Sequence, residues 1–304
     1  MTRFLVSRLV QSVVVLFLIL TLSFFVMKAA PGSPLSQDRQ LDPEVEAQLM
    51  ARYHLDKPVT TQYAIYVSRL FQGDLGPSIK QNAPVRDIVF EAVPYSLIIG
   101  GQALLLAILL GVGLGLVAGL KQNTAVDYGA MSVAMLGVSI PNFVLGPLLI
   151  LLFAVGLGWF NSGGWTGWHD SILPSLSLGL FYTAYVARLT RGGMLEIIRQ
   201  DYIRTARAKG LRERIVVLRH ALKGALLPVV SFLGPASASI LTGSVVIEKV
   251  FNVPGLGTFF VDAAFNRDYF LVLGVILVYS SLLIVLNAVV DVLYTLLDPR
   301  VGVE

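Results

Sequence analysis

Long apolar runs, separated by shorter polar stretches, dominate the sequence. An apolar α-helix needs about 20 residues to cross the roughly 30 Å hydrocarbon core of a bilayer, and about six runs in this chain have such a length with few or no charges. They cover approximately residues 9–27, 96–120, 128–153, 172–189, 226–247 and 269–290. The pattern predicts an all-α fold, a polytopic membrane helix bundle of about six transmembrane helices.

The composition agrees with a membrane protein and narrows the chemistry. Hydrophobic residues make up 55% of the 304 residues and charged residues 14%, whereas an average soluble domain has roughly 25% charged residues. The chain has no cysteine, which excludes disulfides, thiolate metal sites and cysteine nucleophiles. It also has no G-x-x-x-x-G-K-[ST] sequence, so it does not bind ATP through a P-loop.

Basic residues give the predicted orientation. Ten of the 23 lysines and arginines lie between Arg188 and Lys223, together with three acidic residues. Positively charged loops stay in the cytoplasm, so this loop and, with six spans, both termini are predicted to be cytoplasmic. Arg3 and Arg8 precede the first run, which is longer than the apolar part of a usual signal peptide and lacks a good cleavage site. We expect it to be retained.

The chain is thus divided into four predicted regions. Residues 1–30 hold the first transmembrane helix, residues 31–95 form a small extracytoplasmic helical segment, and residues 292–304 form a cytoplasmic tail. The membrane core covers residues 96–291 and includes the cytoplasmic loop at about 190–225. The external helices serve either as a structural lid or as a docking surface for an external partner, and composition leaves both interpretations open.

Glycine and proline mark two special places inside the apolar runs. Gly111, Gly115 and Gly119 recur every four residues, which puts three small residues on one helix face where another helix can approach closely. Pro141 removes a helix hydrogen bond and predicts a kink about halfway through the third span. The polar Asn142 lies at the same depth. Pro141 and Asn142 either form a kink satisfied by a neighbouring helix or line a substrate path.

Catalytic patterns are weak. His169, Asp170 and Ser171 are adjacent in an external loop, but neighbouring residues on one stretch of chain seldom form a relay. We therefore predict no catalytic residue, no metal site and no cofactor bound by this chain. Charges within the spans are scarce, whereas an ion-driven carrier usually needs ionisable groups at depth. This scarcity indicates that the energy for any transport enters elsewhere.

The basic segment DYIRTARAKGLRERIVVLRH, residues 201–220, has a helical pattern rather than that of a solvated tail. Tyr202, Ala206 and Lys209 share one helical face, and Gly210 has the position of a C-cap. Small alanines leave a smooth surface that a second protein could contact. Composition alone leaves four interpretations open: a topology signal, a contact with anionic lipid, a loop, or a docking helix.

The sequence RTARAKG, followed by RHALKGALLP, resembles the cytoplasmic loop shared by the membrane-spanning subunits of bacterial ATP-binding cassette importers. That loop is written E-A-A-x-x-x-G with a Leu-Pro pair downstream. Gly210 matches its glycine and Ala206 its second alanine, while Leu227 and Pro228 match the pair.

Arg204 and Thr205 replace the glutamate and the first alanine of that loop, so a contact made by the glutamate is not carried over to this chain. The replacement is itself typical of the peptide and nickel importer permeases. APGSP, GDLGPS, SIPNF, GSVVIEKVFNVPGLG, NRDY and DVLYTLLDPR resemble that branch in the same order, over essentially the whole chain. KAAPGSPL, RYHLDKP and GLKQN are most similar to the first permease subunit of oligopeptide importers.

The resemblance implies a type I importer permease in the bacterial cytoplasmic membrane. It would pair with a second, homologous permease, and two ATPase subunits carrying ATP and Mg²⁺ would bind on the cytoplasmic side. An extracytoplasmic binding protein would deliver the peptide, and nucleic acid is not an expected partner. The chain itself would be a transport subunit rather than an enzyme.

The resemblance also implies roles for particular residues. The basic helix would be a coupling helix that docks on an ATPase subunit. Its expected contact residues are Tyr202, Thr205, Ala206, Lys209, Gly210 and Leu211. Pro254, Gly255 and Gly257, in FNVPGLGTFF, form either a tight external turn or, as the resemblance implies, a gate or re-entrant segment. Dipeptide or nickel import is the alternative within the family. An ion-coupled carrier and an intramembrane hydrolase are the alternatives outside it.

Overall fold

The computed structural model describes residues 2–31, 42–242 and 245–297. Their regular structure is helical, apart from one β-bridge between Pro77 and Pro84. The helices are, in chain order, α1 (Thr2–Ala29), α2 (Pro43–Arg52), α3 (Val59–Phe71), α4 (Val85–Leu120), α5 (Ala125–Ser139), α6 (Asn142–Leu149), α7 (Ile172–Ile197), α8 (Asp201–Ala208), α9 (Glu213–Ile215), α10 (Leu222–Ala225), α11 (Leu227–Leu241), α12 (Val245–Val250), α13 (Leu256–Phe265) and α14 (Tyr269–Leu297).

Three shorter helical stretches connect these elements. A π-helical stretch, Ile150–Gly156, continues α6, and a 3₁₀ turn, Trp168–Ser171, leads into α7. A second π-helical stretch, Val216–Ala221, joins α9 to α10.

Among the described residues, five helical segments are long and apolar enough to cross a membrane. They are Val10–Ala29, Val85–Leu120, Trp168–Ile197, Leu227–Val250 and Tyr269–Val289. Helices α5 and α6 form a sixth segment when they are counted together. The prediction of an all-α polytopic bundle with about six membrane segments is therefore confirmed.

The third segment is broken far more sharply than a kink. Its two halves are bent by 104°. Ile140, between them, is extended, with φ −105° and ψ 121°, because a proline ring excludes the α region for the residue before it. The helical hydrogen bonds start again in α6, where the Leu145 N–H donates to the carbonyl of Pro141 at 2.9 Å. The sequence pattern predicted a kink at Pro141 but not a bend of this size.

Helix α4 starts earlier than the apolar run. It begins at Val85 rather than at residue 96, because Val85, Val89 and Ala92 lie on one face of an amphipathic turn and are buried in a cluster with Leu256. The last part of the segment predicted to be external is therefore the start of a long helix.

The chain divides into two compact units. One contains residues up to Tyr95 together with residues 254–284, and the other contains residues 96–253 with the end of α14 from Val285. Residues 254–284 therefore group with the N-terminal part of the chain, whereas the predicted regions placed them in the membrane core.

In the first unit, Asp268 fixes the start of α14. Its side chain is buried and accepts hydrogen bonds from the Ser78 hydroxyl at 2.5 Å and from the Leu271 N–H at 3.4 Å. The second bond caps the helix, since it satisfies a backbone donor that has no partner within the first turn. Asp268 thus ties the loop around Ser78 to this end of α14.

In the second unit, α4 and α7 touch along the predicted glycine face. A Cβ atom added at Gly111 would lie 2.6 Å from the Cβ of Val186, and one at Gly119 would lie 2.7 Å from the Cβ of Met194. A Cβ atom at Gly115 would overlap the backbone of α7. The helices approach this closely only because these positions have no side chain, so the interpretation of the glycines as a helix contact is confirmed.

Candidate functional site

Helix α8 is short and has a well-defined end. Gly210 follows it with φ +76°, a left-handed conformation that costs glycine little. The Gly210 N–H donates to the carbonyl of Arg207 at 2.9 Å, and the Leu211 N–H donates to that of Ala206 at 3.4 Å. These two bonds form a Schellman motif, which satisfies carbonyls at the helix end. The sequence-based expectation of a C-cap at Gly210 agrees with this geometry.

The inner face of α8 packs on the rest of its own chain. Ile203 and Ala206 are buried in a cluster with Met194 of α7, Val216 of the second π-helical stretch and Ala225 of α10. The alanine face was expected to lie open to a second protein. For Ala206 that expectation is wrong: its side chain is 6% exposed, because residues 194–225 fold back over this side of the helix.

An open groove runs beside α8 and brings most of the predicted contact residues together. It is lined by Tyr202, Thr205, Ala206, Lys209, Leu211 and His220. Gly210 is the one residue of the predicted set that does not line the groove, and it instead forms the end of α8. His220 was missed as a site residue, and its only signal in the sequence was its place in RHAL.

Both acidic side chains of residues 201–220 form ion pairs with arginines. Arg207 donates two hydrogen bonds to Glu213, at 2.6 and 3.1 Å, and these bonds lower the pKa of the Glu213 carboxyl below its usual range. The Arg204 guanidinium lies 3.4 Å from the Asp201 carboxylate. The exposed surface around α8 therefore keeps a positive charge.

Helix α8 rests on a firmly connected base. Arg191 of α7 donates two hydrogen bonds of 2.7 Å to Asp127 of α5, and the Asp127 side chain is only 1% exposed. Asp127 also accepts the Asn123 N–H at 2.9 Å. A Cβ atom added at Gly193 of α7 would overlap the backbone of Ala225. Helix α7, on which α8 packs through Met194, is thus in direct contact with both α5 and α10.

The predicted path residues Pro141 and Asn142 lie at the break between α5 and α6. Pro141 is exposed, whereas the Oδ1 atom of Asn142 is buried with no hydrogen-bond donor among the described residues. Gly146, one turn further along α6, faces Phe251 and lies near Ser177 of α7. The Asn142 oxygen therefore points into protein rather than towards open space.

The predicted gate residues Pro254, Gly255 and Gly257 belong to the other compact unit. Gly255 is extended, with φ −93° and ψ 174°, and precedes α13. The left-handed residue of this turn is Asn252, with φ 50°. Gly255 and Gly257 are buried, and neither has a positive φ.

One buried ionisable residue was missed near the end of a membrane segment. Glu248 of α12 is fully buried and lies within the segment Leu227–Val250, whereas the apolar run was predicted to end at residue 247. Burial of an ionisable side chain within a membrane segment is costly. A hydropathy pattern does not reveal such a residue when it lies at the end of an apolar run.

The loop predicted to be external does not join His169, Asp170 and Ser171 in a catalytic relay. The Ser171 hydroxyl donates to the carbonyl of Trp168 at 2.5 Å and to Gln102 Oε1 at 2.8 Å, rather than to His169. The Asp170 carboxylate instead orders its own loop, where it accepts hydrogen bonds from Thr166 and Gly167. Within the described ranges, no group of three or more His, Cys, Asp or Glu side chains could hold a metal ion.

Two protein-family models match the chain, and together they cover most of its length. Residues 111–303 match the family described as binding-protein-dependent transport system inner membrane component, and residues 1–99 match its N-terminal companion. The oligopeptide transport system permease protein OppB of Escherichia coli is 49% identical over 304 residues, with 99% of each chain covered. The dipeptide transport system permease protein DppB of Bacillus subtilis is 44% identical over 302 residues, covering 99% of this chain and 98% of its own.

Solved structures support the same fold. An inward-facing structure of the MetNI methionine ABC transporter has a TM-score of 0.52 and 21% identity, and covers 67% of this chain and 95% of its own. An amino acid ABC transporter has a TM-score of 0.52 and 17% identity, and covers 71% and 94%. At these identities the similarity concerns the fold alone.

Proposed function

Because the chain belongs to the family of binding-protein-dependent transport system inner membrane components, we propose that it is a permease subunit of an ATP-driven oligopeptide importer. The observation that carries this proposal is the 49% identity to an oligopeptide permease along essentially both whole chains. The chain would form the translocation path with a second, homologous permease and perform no chemistry itself. It would lie in the bacterial cytoplasmic membrane with both termini in the cytoplasm, as its basic loop indicates.

Helix α8 would be the mechanical link to the ATPase. Its groove residues Tyr202, Thr205, Lys209 and Leu211 would contact one of two ATPase subunits, which carry the ATP and Mg²⁺. Gly210 would contribute by holding the helix end. Ala206 would act mainly from the inside, since its side chain contacts its own chain.

The contacts of α8 support a lever role. Ile203 is fully buried in the same cluster as Met194 and Ala225, and Gly193 lets α7 touch the backbone of Ala225 directly. A movement of α8 would therefore displace α7 and the α10–α11 segment with it, because closely packed interfaces shift between discrete arrangements rather than deform continuously. ATP-driven closure of the ATPase subunits would use this connection to change the access of the path.

The path itself is the less constrained part of the proposal. Pro141 and Asn142 would form a hinge or lining position, which the sharp break at Ile140 supports. Pro254, Gly255 and Gly257 would precede an outer closing segment. Helix α13 has 10 residues, about half of what a spanning helix needs, which suits a re-entrant or surface position.

A dipeptide importer permease is the second candidate, because DppB of Bacillus subtilis is 44% identical over nearly the whole chain. The two are separated by transport in proteoliposomes that contain this chain, its second permease, two ATPase subunits and the extracytoplasmic binding protein. We expect ATP-dependent uptake of a labelled oligopeptide that excess dipeptide or nickel does not inhibit.

Other outcomes would favour other functions. Uptake inhibited by dipeptide would identify a dipeptide importer. Uptake by this chain alone, driven by an ion gradient and abolished by an uncoupler, would identify a secondary carrier. Cleavage of the peptide by the purified chain would identify a hydrolase.

A further inference from the structure

The groove beside α8 contains a side chain that α8 does not supply. His220 comes from the π-helical stretch Val216–Ala221 and lines the groove together with Thr205 and Lys209. Its Nδ1 atom lies 3.2 Å from the carbonyl oxygen of Ile215. Because a carbonyl oxygen only accepts hydrogen bonds, Nδ1 carries the proton, and Nε2 is the ring atom left for a ligand.

The charge of the groove has no internal counterion. The acidic residues nearest in sequence are already in ion pairs, Asp201 with Arg204 and Glu213 with Arg207. Lys209 forms no salt bridge with any residue that the structure describes. Besides Lys209 and His220, the only titratable side chain that lines the groove is that of Tyr202. An anionic group entering the groove would therefore meet an ammonium group and an imidazole, and no carboxylate.

We propose that this groove binds a carboxylate of the docked ATPase subunit, held between the Lys209 ammonium and the Nε2 atom of His220. The inference rests on the proposed docking function and adds the chemistry of the contact. Ala206 and Leu211 border the same groove, so the matching ATPase surface presents an acidic side chain flanked by apolar ones. A hydrogen bond between charged groups is roughly twice as strong as a neutral one, which makes this carboxylate a principal anchor of the complex.

A carboxylate oxygen only accepts hydrogen bonds, so the Nε2 atom of His220 carries a proton in the proposed complex and donates it to the carboxylate.

Equilibrium binding tests the proposal. The pair of permeases is held in nanodiscs of zwitterionic lipid and titrated with its ATPase subunits, for the wild type and for Lys209→Gln and His220→Gln. We expect each substitution to raise the dissociation constant about tenfold or more.

Lys223→Gln is the matched control. It removes the same charge from an exposed lysine of the same segment that does not line the groove, so we expect a change below about fivefold. Lys209→Arg keeps the charge and should restore most of the binding lost in Lys209→Gln. Both lysines are exposed, so these variants are expected to fold, and unfolding midpoints equal to that of the wild type verify this.

Two results overturn the proposal, and they differ from failure of the docking function. If Lys209→Gln and His220→Gln bind the ATPase as Lys223→Gln does, the groove holds no carboxylate although α8 docks. If these substitutions weaken binding only to vesicles of anionic lipid, the groove is a lipid headgroup site. If the wild-type permeases bind no ATPase, the docking function fails, and this inference fails with it.

Discussion

Replacing Gly210 with alanine should weaken the end of α8 and change little else. Gly210 has φ +76°, and a Cβ atom added there meets no atom within 4 Å. The substitution therefore causes no clash, but an L-residue in the left-handed region costs about 1 kcal/mol or slightly more. We expect the Schellman motif of α8 to be destabilised by that amount, with the membrane segments still inserted.

Gly192→Ala is the matched control. A Cβ atom at Gly192 also meets no atom within 4 Å, and Gly192 lies inside α7 without a positive φ. Alanine is the better helix former by about 1 kcal/mol, so the same chemical change should be neutral or stabilising there. Gly210→Asn should fall between the two, because asparagine tolerates the left-handed region better than alanine does.

Hydrogen exchange measures the effect directly. The amides of position 210 and Leu211 donate the two bonds of the motif, and a loss of about 1 kcal/mol corresponds to roughly fivefold faster exchange. The ratio of peptide transported to ATP hydrolysed should fall as well, because a frayed helix end transmits less movement. If Gly210→Ala and Gly192→Ala have equal exchange rates and equal ratios of peptide transported to ATP hydrolysed, then Gly210 does not stabilise the end of α8.

Three further perturbations test the base of α8 and its surroundings. Arg191→Met leaves the Asp127 carboxylate without its counterion, so we expect a lower unfolding midpoint; an unchanged unfolding midpoint would contradict this. Gly115→Leu should prevent α4 from approaching α7 and so reduce uptake. A side chain at position 113 points into open space, so Gly113→Leu should leave uptake intact. Equal uptake by the two variants would argue against the glycine contact. The lowered pKa of Glu213 means that its stabilising effect is present at neutral pH and is lost as the pH falls through the folded-state pKa. Exchange in α8, corrected for its intrinsic rate, should therefore rise once the pH falls below the usual titration range of glutamate, and a Glu213→Gln variant with the same rise would contradict the assignment.

The sequence predicted most reliably the features that one segment determines by itself. Membrane segments follow from apolar length, because a bilayer requires about 20 apolar residues of any helix that crosses it. The spacing of Gly111, Gly115 and Gly119 indicated a helix contact without naming the partner, which is α7. The end of α8 was predictable for the same reason, since only local backbone geometry decides where Gly210 is favourable.

Features that depend on distant residues were missed. A helical pattern shows that α8 has two faces, but not which face its own chain covers, and residues 194–225 decide that Ala206 is inside. His220 reaches the groove through a π-helical stretch, and such a stretch reflects tertiary contacts rather than local propensity. The early start of α4 likewise depends on Leu256, which is far away in the sequence.

Cross-linking from α8 tests the central claim most directly. The chain has no cysteine, so Thr205→Cys introduces a unique thiol at an exposed groove position, and Phe71→Cys places a matched thiol where the side chain is 85% exposed in the segment predicted to be external. In membranes that contain the complete importer, we expect position 205 to form a cross-link with an ATPase subunit and position 71 to form none. Normal ATP-dependent peptide uptake with no cross-link from position 205 to a nucleotide-hydrolysing subunit would contradict the account.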